Sequence, residues 1–133
     1  MADDGGPLLL YVEDEPLILD LGVTGLEDAG FTVAAYRSGQ DAIAALDRRG
    51  AEFKALITDI DLDGQVDGWG IAKHARELFP QMPVVYVSGG SSHEWASMGV
   101  PGSVMVVKPY ASAQLIVAVS SAMLGPDGGH PIA

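Results

Sequence analysis

Four short apolar runs along the chain each end on a polar residue: Leu8–Val12 before Glu13 and Asp14, Ala55–Thr58 before Asp59, Val84–Val87 before Ser88, and Val104–Val107 before Lys108. Unbroken apolar runs of this length mark strands buried on both faces of a parallel sheet, and ligands gather at the carboxyl ends of such strands. An acid pair, a lone acid, a hydroxyl and an ammonium would therefore meet in one pocket. With a further run after Gly30, strands are predicted near residues 8–13, 31–35, 54–59, 83–87 and 103–107.

Segments of helical period separate these runs. Pro16 suits the first turn of a helix, and Leu17, Ile18, Leu21, Val23 and Leu26 give that helix an apolar face up to a stop at Gly30. Ser38 is placed to cap a second helix carrying Ile43, Ala44 and Leu46, and a third runs from about Trp69 to Phe79, ended by Pro80 and Pro83. A last helix, Ser112 to Leu124, turns Leu115, Ile116 and Val119 inward. Alternation of strand and helix predicts an α/β fold, a doubly wound parallel sheet of five strands. The segment 89–102 breaks the pattern: glycines, serines and Pro101 leave only Glu94–Met98 for one short turn.

At 133 residues and 48% hydrophobic content, the chain holds one core and is too short for two ordinary domains. The Gly/Pro/Asp-rich ends set the expected boundaries: a disordered stretch over 1–6, the domain over 7–124 and a flexible tail over 125–133. Cysteine is absent, which removes disulfides, thiolate metal sites and thiol nucleophiles. A formal charge of −11, with seven scattered basic residues, argues against nucleic acid or an anionic membrane as a partner. The apolar runs fall well short of the roughly 20 residues that cross a bilayer, and the acidic start is unlike a signal peptide, so a cytoplasmic protein is expected.

Three carboxylates in one pocket conflict. Two unit charges 4 Å apart cost about 4 kcal/mol at an effective dielectric near 20. A hard divalent cation such as Mg²⁺ removes the conflict, and it binds readily through one or two carboxylates together with phosphate oxygens. Lys108 would add a positive charge and Ser88 a hydroxyl donor, so the pocket suits a phosphoryl group. Asp59, ending a central strand between the acid pair and Ser88 and Lys108, is the best candidate nucleophile for an aspartyl phosphate. Gly89 and Gly90 leave room for the incoming donor. The plainer reading of Glu13 and Asp14, an acidic cap on a helix dipole, weakens once Asp59 and Lys108 share their register. A calcium loop starting at Asp59 fails because its twelfth position is Gly70. His74, His93 and His130 lack metal-ligand spacing, and Trp69 and Trp95 suit either packing or partner contact.

The runs YVEDE (11–15), LITDIDL (56–62), DGWGIA (67–72), VVYVSGG (84–90) and VVKPY (106–110), in this order, resemble the receiver domain of two-component response regulators across about residues 7–124. The resemblance implies a flavodoxin-like sheet in the order 2-1-3-4-5. It also implies that Asp59 takes phosphate from a sensor histidine kinase or a histidine phosphotransfer protein. By the same carry-over Asp14 is a direct Mg²⁺ ligand, Glu13 its acidic partner, and the Asp61 backbone carbonyl a further ligand. Ser88 is the switch hydroxyl, Lys108 the phosphate-binding lysine, Gly89 part of the phosphate-binding and switch set, and Pro109 the proline that follows through a cis peptide.

The chain also departs from the family pattern. The switch position three before Lys108 carries Met105 where an aromatic is usual, the loop after Asp59 is longer, and the fourth helix is shortened, as in an atypical receiver subgroup. Phosphorylation is then expected to order residues 89–102 instead of flipping an aromatic. Output is expected by contact with an unidentified protein, or by passing the phosphate onward, from a monomer or weak dimer. Two other readings stand beside this one. The chain could be a receiver taken from a hybrid histidine kinase, or it could resemble a haloacid-dehalogenase-type phosphohydrolase that uses Asp59 and Asp61.

Overall fold

A computed structural model describes residues 6–128, and its strands fall within a residue of the apolar runs. They are β1 (Leu8–Val12), β2 (Thr32–Tyr36), β3 (Ala55–Asp59), β4 (Val84–Ser88) and β5 (Val104–Val107). All neighbours pair in parallel in the order β2-β1-β3-β4-β5, so β3 lies at the centre. β3 and β4 are buried along their whole length, which is why they read as unbroken apolar runs.

The helices are α1 (Pro16–Asp28), α2 (Gly39–Arg49), α3 (Gly68–Leu78), α4 (Trp95–Met98) and α5 (Ser112–Gly128). Alternate residues of each strand feed two separate cores. One takes Leu10, Val12, Leu56, Val84 and Tyr86 against α2 and α3; the other takes Leu9, Tyr11, Ile57, Val85 and Val87 against α1 and α5. Ser38 caps α2 by accepting a hydrogen bond from the Asp41 N–H, and Asp67 caps α3 by accepting one from the Gly70 N–H.

Three expectations are corrected. α1 buries Leu19, Gly22 and Leu26, whereas Leu17 and Leu21 are 73% and 70% exposed. This helix is apolar on several sides, so composition leaves its rotation open. What fixes it is Gly22: a Cβ there would lie 2.3 Å from the Tyr11 hydroxyl, and the missing side chain lets α1 settle onto that ring. In α2 the inward residues are Ala42, Ala45 and Leu46, leaving Ala44 outside. Of the two readings for Trp69, packing holds: it belongs to the core, tilted against Tyr86 with ring centroids 4.7 Å apart. The last helix passes Leu124; its backbone breaks at Gly125 (φ 75°) and continues to Gly128. Otherwise the expected terminal stretches lie mostly in 1–5 and 129–133, outside the described residues.

Candidate functional site

The carboxyl ends of β1, β3, β4 and β5 open on one edge of the sheet. After β1 the chain turns sharply: the Glu13 N–H donates to the Tyr36 carbonyl, and Glu13 Oε2 accepts from the Glu15 N–H at 3.1 Å. This folds Glu13 inward to 1% exposure, while Asp14 stays at the rim and accepts a hydrogen bond from the Asp63 N–H at 3.0 Å. At the end of β3, Asp59 is 4% exposed. Its two oxygens are shared: Oδ1 accepts from the Asp61 N–H at 3.3 Å, and Oδ2 accepts from Lys108 Nζ at 3.1 Å. Lys108 also lies 3.2 Å from Glu13 Oε1, bridging two buried carboxylates. Its own N–H donates to the Ser88 carbonyl, and the Lys108–Pro109 peptide is cis.

Glu13, Asp14 and Asp59 each offer a carboxylate oxygen, all within 4.8 Å of one another. Three negative groups face one ammonium. Burial pushes the Asp59 carboxyl above the ordinary range, with Lys108 and the Asp61 N–H pulling it back. Glu13 is also raised, by burial first and by Asp59, against the opposing Glu15 N–H and Lys108. Burial alone would lower Lys108, yet its two carboxylates together carry it above its ordinary value. An oxygen-only donor set with surplus negative charge, close enough to share one ion, is what a hard cation such as Mg²⁺ requires.

Ser88, fully buried at the end of β4, makes no hydrogen bond to Asp59. Its hydroxyl donates to Asp61 Oδ2 at 3.4 Å and accepts from the Ser91 N–H at 2.8 Å. Gly89 lies beside Lys108, where an added Cβ would meet the Lys108 Cβ at 3.8 Å. Gly68, which composition did not single out, shapes the site from below. A Cβ there would lie 2.3 Å from the Asp59 carbonyl oxygen, so glycine lets the start of α3 pass under the strand end. The signal for it is the glycine directly after the Asp67 cap.

Met105 is partly buried and pairs in register with Tyr86, so both side chains lie on one face of the sheet. Tyr86 is fully buried, and its hydroxyl accepts a hydrogen bond from the Val100 N–H at 3.0 Å. The bulky aromatic of this region therefore comes from β4. Period-two counting along β4 could have put Tyr86 on that face, but not its bond to Val100.

Residues 9–120 match the family model for the response regulator receiver domain. The chain belongs to the response regulator receiver family. Receiver folds are also its structural neighbours. A response regulator receiver protein from Sinorhizobium medicae WSM419 is similar at TM-score 0.84 and 46% identity, over 87% of this chain and 93% of that one. The receiver domain of NtrX from Brucella abortus is similar at TM-score 0.76 and 28% identity, over 86% of this chain and 97% of the other. Among curated proteins, the sensor kinase CckA of Brucella abortus is 27% identical over 118 residues, 86% of this chain and 12% of that protein. A putative NtrX-like response regulator of Rickettsia conorii is 28% identical over 117 residues, 86% of this chain and 24% of that protein. This receiver thus spans a quarter or less of those two relatives.

The 2-1-3-4-5 sheet is the flavodoxin-like receiver fold, and the chain is a module of two-component, phosphorylation-dependent signalling. Receivers are signalling domains, not enzymes in their own class. The phosphohydrolase reading gains no support: the Asp61 carboxylate turns away from Asp59 toward Ser88 and Ser91. Among the described residues, no helix is long and apolar enough to cross a membrane.

Proposed function

We propose that Asp59 is the phosphoacceptor of this receiver, taking a phosphoryl group from a phosphohistidine of a sensor kinase or phosphotransfer protein. The observation that carries this reading is the buried Asp59 carboxylate, oriented by Lys108 at 3.1 Å and by the Asp61 N–H at 3.3 Å, in a three-carboxylate cluster compact enough for one cation. A nucleophile must be held still and its product charge met by waiting donors.

In the step itself an Asp59 oxygen forms a bond to phosphorus as the phosphorus–nitrogen bond of the donor breaks. The imidazole nitrogen keeps that electron pair. Lys108 moves one of its N–H bonds from the Asp59 carboxylate to a phosphoryl oxygen, keeping its place through Glu13. Ser88 and the Gly89 N–H supply further donors from the end of β4. Asp14, with Glu13, Asp59 and the Asp61 carbonyl, would hold Mg²⁺. When bound, the ion neutralises charge on the phosphoryl oxygens and relieves the repulsion among the acids. Signalling then follows by contact with a protein partner that distinguishes the two states.

Incubation with acetyl phosphate and Mg²⁺, followed by intact mass, tests the reading. One phosphoryl group per chain is expected for the wild type and none for Asp59→Asn. Equal labelling of both would defeat it.

A further inference from the structure

The Asp61 side chain has no part in the chemistry just described. Its backbone N–H donates to Asp59 Oδ1, while its carboxylate points across to the β4–α4 loop. There Oδ2 accepts from the Ser88 hydroxyl at 3.4 Å and Oδ1 from the Ser91 hydroxyl at 2.8 Å. The Ser91 N–H closes the triangle by donating to Ser88 Oγ at 2.8 Å. The Ser88 hydroxyl proton a phosphoryl group would need is therefore turned toward Asp61, through a long contact, while Ser91 makes the short bond to the same carboxylate. The same carboxylate ties down the first residues after β4.

The far end of that segment is anchored differently. Val100 N–H donates to the Tyr86 hydroxyl at 3.0 Å, Trp95 Nε1 to Ser103 Oγ at 2.9 Å, and Arg76 Nη1 to the Pro101 carbonyl at 2.7 Å. None of these hydrogen bonds involves Asp59, Lys108 or the acid pair. The segment thus has one anchor wired to the site and one independent of it.

We propose that the Asp61 carboxylate is a latch that holds Ser88 and Ser91 in the unphosphorylated arrangement, and that phosphate on Asp59 opens it. Two effects act together, and both rest on the phosphorylation of Asp59. The phosphoryl oxygens compete for the Ser88 proton, and their negative charge sits two residues from the Asp61 carboxylate and repels it. Once both serine hydroxyls have let go of Asp61, residues 90–94 come free while 100–103 stay held by Tyr86, Ser103 and Arg76. This is release of the near end of the segment, the reverse of the ordering expected from the departures from the family pattern. It gives the site an output route that needs no aromatic at position 105.

Amide hydrogen exchange with intact mass on the same samples tests the latch, using wild type, Ser91→Ala and Asp61→Asn, each with and without acetyl phosphate and Mg²⁺. Before phosphate, Ser91→Ala exchanges about tenfold faster than wild type at 90–94, the scale of removing one charge-assisted hydrogen bond. Phosphorylated wild type shows a comparable rise there and none at 100–103. Asp61→Asn keeps groups that can bond to both serines but lacks the charge, so its rise on phosphorylation is smaller than that of wild type. The latch is overturned if the adduct forms and exchange at 90–94 does not rise, or if Ser91→Ala matches wild type before phosphate. Absence of any phosphoryl mass overturns the phosphoacceptor reading, and phosphate-driven opening with it, and the mass measurement identifies that failure separately.

Discussion

The ends of β1, β3 and β5 and the segment that follows β4 are built on different principles. At the first, backbone geometry does most of the placing: strands end in register, the turn after β1 folds Glu13 inward, and Lys108 arrives across from Asp59 with ion-pair distances of 3.1 and 3.2 Å to the two buried acids. At the second, a loop and a four-residue helix are tied down by side-chain hydrogen bonds from Asp61, Tyr86, Ser103 and Arg76. A corner fixed by a buried sheet resists change, whereas one fixed by a few polar interactions can exchange them at small cost. Rigidity at the proposed phosphoacceptor and looseness in the segment beside it is the division that a switch needs.

Lys108→Ala should break the first region hardest. If Lys108 meets the phosphoryl charge as proposed, its removal slows uptake from acetyl phosphate about 100-fold or more, the loss seen when a preorganised charge-stabilising donor is deleted. Time-resolved intact mass reads this directly. An effect under about threefold would mean that Lys108 neutralises the acids without serving the reaction.

Tyr86→Phe probes the second region. It leaves the buried Val100 N–H without its acceptor, at a cost of about 1–3 kcal/mol in denaturant unfolding, while phosphoryl uptake stays near the wild-type rate. A large loss of uptake would show the two regions to be less separable than their hydrogen bonding indicates.

A smaller effect is expected from pH in the absence of metal. Asp59 and Glu13 have carboxyl pKa values above the ordinary range in the folded protein: burial disfavours charge on both, and the neighbouring Asp59 adds repulsion at Glu13. The folded state therefore holds these protons more tightly than the unfolded chain does. The resulting stability is present below the ordinary carboxylate pKa of about 4 and is lost as pH rises through the raised values. Lys108, raised in its own right, stays charged across this window and adds no slope. In EDTA at neutral pH, Asp59→Asn should be more stable than wild type by about 1–2 kcal/mol, the scale of relieving one buried like-charge repulsion. The gap should close toward pH 4 and on adding Mg²⁺. Thermal denaturation across pH would refute this if the wild type gains stability on ionisation without metal.

The same contrast explains what could be read from composition. Strand positions were legible because a parallel sheet buried on both faces needs unbroken apolar runs, and the polar residue ending each run marks the edge where Glu13, Asp14, Asp59 and Lys108 converge. The phase of α1 was not, since Leu17, Ile18, Leu19, Leu21, Val23 and Leu26 supply more than one apolar stripe and only the fit of Gly22 on Tyr11 selects among them. Nor were the bonds of Ser91 to Asp61 and of Val100 to Tyr86, which join residues 30 and 14 positions apart and have no local pattern to betray them. Met105 reads as a gap only while a switch position is considered one strand at a time. Its register partner, Tyr86, fills the neighbouring space.

The most direct test of Asp59 as the phosphoacceptor is to locate the phosphoryl group. After acetyl phosphate and Mg²⁺, borohydride reduces an aspartyl phosphate to homoserine, and peptide sequencing by mass spectrometry finds the altered position. Homoserine is expected at position 59 alone, and none when EDTA replaces Mg²⁺. Reduction at another acid, or a phosphoryl group that survives borohydride on Ser88 or Ser91, would contradict that assignment.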